Sequence, residues 1–543
     1  MTAVYRILDI HTQMLMRIVA LIVCRGVRSD LTTVFVAGGE VVQQWINPYG
    51  KDLRLILREP PLKQAASVLH KDLVQELWME QKLDQFDGTN NKTWLMRYLR
   101  SDRYFQPHGP IFIFVGGEWE ISPAYLLTGH MHDIARQHNG MLYYVEHRYY
   151  GKSWPKDDAS AENLKYLSAR QALADLAHFI RHQKSNEDEL LNSKVILTGA
   201  SYSGSLVAWF AKLYPELMDA GWASSAPLVA KLDFFEYMHQ VGMVIQQRGG
   251  SECSELLERG LNGIAALLES SKASQLLSAL HICSNFEPKN QLDRAAFFNG
   301  LGNYFATFAQ LYDDQIAAKI CAPLITTTNT DDLMGFMEFL RRIFWSEFAK
   351  QEHAEDWCID LSYDGMRSIF TDLTDQLSGT RPWFYQCCHE FGWFTTTTNN
   401  SRHNKYPAVI RQVTVARRHE ATTQLPHSFG RQVPLNYFQQ LCDDAFDPSA
   451  DAATYSDIDI STSVQQTNSN FGGLTAAAAL QRVIFTHGQL DPWRAVGLQR
   501  GKNVINIADY SHTADLDSID FGDSVEMNVA KLKVAAFLRS VLR

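Results

Sequence analysis

KVILTGASYSGSLVAWFAKLYP, from Lys194 to Pro215, decides the reading of this chain. Val195, Ile196 and Leu197 make an apolar run short enough for a buried strand. Leu206, Val207, Trp209, Phe210 and Leu213 then begin a helical pattern that Pro215 stops. Ser201 lies between them, flanked by small residues that let strand and helix approach closely. A serine on such a turn has the character of a nucleophile elbow, in which the hydroxyl stands clear of the sheet. The following backbone N–H, that of Tyr202, then faces the oxyanion of acyl transfer. The G-x-S-x-G pattern is imperfect, since Ser203 holds the last position and Gly204 comes one place later.

Alternation of strand and helix surrounds this turn. Pro110 to Gly117 reads as a buried strand ending in paired glycines, where a second oxyanion donor, Gly117, is expected. Met141 to Glu146 and Ala220 to Ser225 read as further strands. Leu173, Leu176, Ala177 and Ile180 keep a helical stripe. Such alternation predicts a parallel sheet covered on both faces. After Pro227 helical spacing dominates: Leu257, Leu261, Ile264 and Leu268, then Phe297 to Tyr312 and Leu333 to Phe348. The strand pattern returns at Val483 to Thr486 and Asn503 to Ile507, with Val529 to Leu542 as a closing helix.

Those last two strands empty into HGQLDPW and ADYSH, so an aspartate and a histidine follow the serine in the order Ser201, Asp491, His512 that an α/β-hydrolase uses. His512 would take the serine proton, and Asp491 would hold the other ring nitrogen. Asp509 and Asp515 compete for the acid's role. His487 is a weaker base because it precedes the acid, and the chain has 18 histidines to choose from. His130-Met131-His132-Asp133 lacks a third partner at metal-ligand spacing, so no metal and no cofactor are expected.

Composition sets the wider limits. A chain of 543 residues exceeds the size of one simple core, and 46% hydrophobic with 20% charged residues is ordinary for a globular protein. Its formal charge of −10 gives no electrostatic reason for nucleic acid or an anionic membrane as partner. The apolar run Ile18 to Cys24, between Arg17 and Arg25, is too short to span a bilayer and suits a signal-peptide core. Sequons at Asn91 and Asn399 mark candidate glycosylation sites. Cysteines between Cys253 and Cys442 lack zinc spacing and suit disulfides in an oxidising lumen.

The resulting division is 1–30 as signal peptide or N-terminal extension, 31–78 as arm or propeptide, 79–228 as first part of the core, 229–420 as helical insertion and 421–543 as second part of the core. The fold class expected is an α/β-hydrolase with a mostly helical cap inserted after the elbow.

QKLDQFD, GPIFIFVGGE, EHRYYG, LSARQALADLA, GASYSGSLVAWF, WFYQCCHEFGWF, QTNSNFGG, THGQLDPW and SHTADL together resemble the serine peptidase family of lysosomal prolyl carboxypeptidase and dipeptidyl peptidase II, including its thymus-specific branch. The likeness runs from about Gln81 to the C-terminus. It implies the triad above, oxyanion contacts from Tyr202 and the Gly116-Gly117 region, and Trp493 as wall of a pocket for proline on the acyl side of the cleaved bond. It also implies disulfides Cys253 with Cys321, Cys283 with Cys358 and Cys388 with Cys442, leaving Cys387 spare. Ser205 stands where a pocket-walling methionine is usual, which puts proline preference in doubt. Ser203 replaces a Gly or Ala, and His487 a usual Asn. Glu118 could hold a substrate amine or serve as a structural carboxylate.

The function expected is therefore serine-type peptide hydrolysis, exopeptidase rather than endopeptidase, in the secreted or endosomal/lysosomal lumen. Peptides are the expected partners and a homodimer a further expectation. An esterase on the same fold and a non-catalytic binding protein are the alternatives.

Overall fold

The computed structural model describes residues 44–46, 57–63, 73–328, 331–348, 357–373, 379–398, 428–446 and 459–542. The signal-peptide segment and the Asn399 sequon lie outside them. Among the described residues no helix is long and apolar enough to cross a membrane.

Eight strands form the central sheet: β1 Gln75–Lys82, β2 Thr93–Ser101, β3 Ile111–Val115, β4 Met141–Val145, β5 Val195–Ala200, β6 Ala220–Ser224, β7 Val483–Gly488 and β8 Val504–Ile507. Their spatial order is β8-β7-β6-β5-β3-β4-β2-β1, antiparallel at β1 and β2 and parallel from β4 to β8. This is the α/β-hydrolase fold. Every residue of β3, β5, β6 and β7 is buried, as a sheet covered on both faces requires. Alternate residues of β3 divide accordingly. Ile111 and Ile113 pack with α1 (Ala169–Asn186) and α2 (Tyr202–Leu213), through Leu173, Ile180, Val207 and Phe210. Phe112 and Phe114 share the opposite core with Met131, Ile134, Val534 and Leu538.

The sequence reading placed six of these strands and missed β1 and β2. β1 is an edge strand, exposed over its first half and buried at only two positions, so it carries no apolar run. Its start at Gln75 also lies inside the span expected to be an arm. Residues 57–63 of that arm rest on the core: Tyr125 donates to the Pro60 carbonyl at 2.8 Å, and the Lys63 N–H to Asp517 at 2.7 Å.

After β6 the chain leaves the sheet through α3 (Phe235–Glu269), kinked at Gly250 where φ is +86°, and α4 (Gln291–Leu311). The excursion opens at Lys231–Asp233, which pairs in parallel with Gly392–Phe394 further along it. Three disulfides tie it together: Cys253–Cys321, Cys283–Cys358 and Cys388–Cys442, with Cys387 free and buried. Cys442 lies on α5 (Leu435–Phe446), and α6 (Ile460–Phe471) follows. Helical material tied to the cap thus continues past 420, and the sheet is rejoined only at Val483. A disulfide to Cys388, rather than a place in the sheet, holds α5.

One buried ion pair locks the segment after β4 to α1. Arg148, fully buried, donates to both oxygens of Asp175 at 2.6 and 2.7 Å and to the carbonyls of Leu83 and Tyr166 at 3.1 and 2.8 Å. Removing one charge strands the other in the core. Asp175→Asn is expected to lower unfolding stability by about 3–5 kcal/mol, read as a fall in the urea midpoint at unchanged slope.

Candidate active site

Ser201 caps α2 with φ +54° and ψ −129°, a conformation that a side chain rarely adopts. Two glycines make the turn possible. A Cβ on Gly199 would stand 2.3 Å from the Ser203 carbonyl oxygen, and one on Gly204 would stand 2.9 Å from that of Ser224. Gly204 therefore gives the close helix-to-strand approach, and Ser203 does something else. Its hydroxyl accepts from the Ala200 N–H at 2.9 Å and donates to the Ala200 carbonyl at 3.0 Å, bracing the elbow rather than crowding it.

The first N–H groups of a helix have no acceptor in their own helix, and Tyr202 is the first residue of α2. Across the sheet, Gly116 gives its N–H to the Val145 carbonyl at 2.8 Å, so Gly117 is the first residue past the ladder. A Cβ at Gly117 would meet the Trp119 ring at 2.6 Å.

Asp491 and His512 are brought into contact. His512 Nδ1 lies 2.9 Å from Asp491 Oδ1, with both side chains buried, and the same oxygen accepts the Trp493 N–H at 2.9 Å. Burial pushes the Asp491 carboxyl up, but His512 and the Trp493 N–H outweigh it and hold the group below its ordinary value. An ionised Asp491 requires Nδ1 to carry the proton, which leaves Nε2 as acceptor. That Nε2 is buried with no hydrogen-bond partner among the described residues.

The competing carboxylates are engaged elsewhere. Asp515 accepts the Ser224 hydroxyl at 2.6 Å, and Asp509 accepts from Gln247 at 2.9 Å. His487 is buried with neither ring nitrogen partnered among the described residues, and burial pushes it down to about 4.

Beside Asp491 the Trp493 ring forms part of a cavity of about 120 Å³, shared with Tyr237, Trp383, Phe384, Trp393 and Phe438. Gln310, which sequence reasoning missed, sets the edge of this wall by accepting from Trp493 Nε1 at 3.0 Å and from the Tyr237 hydroxyl at 2.8 Å. It lies within the helix read from Phe297 to Tyr312, where nothing distinguishes it from an ordinary core position. Ser205 is not among the cavity's lining residues, and its hydroxyl donates to the Pro227 carbonyl at 2.6 Å. Asn91 is exposed in the turn between β1 and β2.

Glu118 is buried, and its Oε2 has no partner among the described residues. Burial pushes its carboxyl from 4.5 up to about 8, so it is protonated at neutral pH. Because the folded value is the higher one, the folded state loses stability as pH rises from about 4.5 to about 8 and changes no further above that. Glu118→Gln removes this slope. The melting temperatures of wild type and variant are expected to converge below pH 4.5 and to separate by pH 8, the variant being the more stable.

Known proteins resemble this chain over most of its length. A family model described as serine carboxypeptidase S28 matches residues 81–415 and 419–534. The chain is 28% identical over 488 residues to the thymus-specific serine protease of Mus musculus, covering 86% of this chain and 87% of that protein. It is 26% identical over 494 residues to the lysosomal Pro-X carboxypeptidase of Homo sapiens, covering 86% and 88%.

Proposed function

This chain belongs to the serine carboxypeptidase S28 family, and from that premise we propose that it cleaves short peptides through an acyl-enzyme formed on Ser201. It is a serine peptidase by family. The observation that carries the finer reading is the Asp491–His512 contact, with the unpartnered Nε2 on the far side of the ring.

In this reading His512 Nε2 takes the Ser201 proton as Oγ attacks the scissile carbonyl, and Asp491 stabilises the imidazolium. The backbone N–H groups of Tyr202 and Gly117 receive the oxyanion. The proton then passes to the leaving amine. Water, activated by the same nitrogen, releases the acyl group.

Substrate form follows from the cap. Ser201 is only 9% exposed, and Trp493 likewise, so the site suits a chain end better than a continuous polypeptide. The aromatic wall formed by Trp493, Trp383 and Trp393 suits an apolar residue on the acyl side, proline among them, since a flat ring packs apolar area without an N–H partner. Glu118 is assigned a structural carboxyl's role or contact with a substrate terminus, and Asn91 a glycan. Three disulfides and the lysosomal name of one relative support a secreted or lysosomal lumen.

A fluorophosphonate is expected to label the wild type and not Ser201→Ala. Asp491→Asn is expected to retain the fold and lose roughly 10,000-fold in kcat. Equal labelling of wild type and Ser201→Ala removes Ser201 from the mechanism. Cleavage of a short acyl ester with no cleavage of any dipeptide-Pro amide or peptide-library member marks an esterase instead.

A further inference from the structure

Gln386 and Glu390 stand at the two ends of a turn of the cap, one closing the helix Thr380–Gln386 and the other within the turn Cys387–Phe391. Neither has a place in the mechanism above. Gln386 is fully buried, and both ends of its amide are engaged. Its Oε1 accepts from the Tyr150 hydroxyl at 2.7 Å, while its Nε2 donates to the Tyr202 hydroxyl and to Glu390, each at 3.0 Å. Glu390 in turn accepts the Ala169 N–H at the start of α1.

The direction of these bonds is fixed. His147 Nδ1 lies 2.7 Å from the Arg148 carbonyl, which can only accept, so Nδ1 carries the proton. His147 Nε2 then accepts, and the Tyr202 hydroxyl 3.1 Å away donates to it. Burial keeps this histidine neutral by pushing it down to about 3. With its own proton committed to His147, the Tyr202 oxygen receives the Gln386 amide. Trp383 and Phe391, also from the cap, pack on the Tyr202 ring with centroids 5.5 and 5.3 Å away. The residue whose backbone N–H follows the nucleophile is thus anchored by its side chain to the cap.

We propose that Gln386 is a positioning residue for the oxyanion hole, acting through the Tyr202 hydroxyl to hold the Tyr202 N–H in line with the developing oxyanion. The proposal rests on Ser201 being the nucleophile. A donor preorganised in this way contributes only if its position is held in the transition state, and a shift of about 1 Å costs about 100-fold in rate. A purely structural link between cap and core would instead change stability, or substrate binding through the cavity, and leave kcat alone.

The test compares wild type, Gln386→Leu, Tyr202→Phe and the double variant on p-nitrophenyl butyrate, together with the rate of phosphonylation by a fluorophosphonate. Each single variant is expected to lose about 10- to 100-fold in kcat and in phosphonylation rate, with KM unchanged within about threefold. The double variant is expected to be no slower than the slower single one, because both changes break the same link. Tyr202→Phe removes one oxygen and leaves the backbone N–H, so it carries the test alone if Gln386→Leu does not fold. Wild-type kcat in Tyr202→Phe overturns the proposal, as do losses that multiply in the double variant or appear only in KM. A wild-type chain inert to both reagents overturns instead the reading of Ser201 on which the proposal stands.

Discussion

Two adjacent serines at the end of β6 hold the three parts of the site in one place. The Ser224 carbonyl takes the N–H of Ser201 at 2.9 Å, which pins the elbow to the neighbouring strand. Ser225 gives its N–H to Thr486 on β7, the strand that leads to Asp491, at 2.7 Å. The Ser225 hydroxyl accepts the N–H of Thr513, next to His512, at 2.9 Å, while the Ser224 hydroxyl is bonded to Asp515 in the same loop. Ser201 lies roughly 300 residues before Asp491 and His512 in the chain, yet this dipeptide bonds to the neighbourhoods of all three. Ser225, Ser201 and Thr513 all have positive φ, a conformation that stores about 1–3 kcal/mol at each such residue. The mutual bonding is what retains it.

The strand-to-helix turn at Ser201 and the parallel centre of the sheet were legible in the sequence because each rests on a local pattern. Buried strands such as IFIFV and VILTGA have no polar positions to blur them, and Ser201 is marked by its small neighbours. What could not be read depends on contacts between distant segments. The ASSAP stretch shows nothing of its hydrogen bonds to Thr513 and Thr486. Gln310 and Gln386 look like any glutamine in a helix until their partners are known. Nor does the sequence show that the Ser203 hydroxyl closes two bonds across the turn. β1 was lost because an edge strand needs only one buried face over part of its length.

The cap is more than a cover over the serine. It supplies most of the aromatic wall beside Trp493, and through Gln386, Glu390 and Phe391 it reaches the first turn of α2 and the start of α1. The Cys388–Cys442 bridge begins two residues after Gln386, so the covalent tie and the polar tie to the elbow are neighbours in the same turn.

The pairing of Lys231–Asp233 with Gly392–Phe394 brings two distant points of the cap side by side. For a flexible loop so closed, doubling its length adds only about 0.6 kcal/mol of closure entropy. Lengthening what lies between those two short strands therefore carries little entropic cost. A replacement for that span keeps the present contact only if it again offers an amide to the Tyr202 hydroxyl.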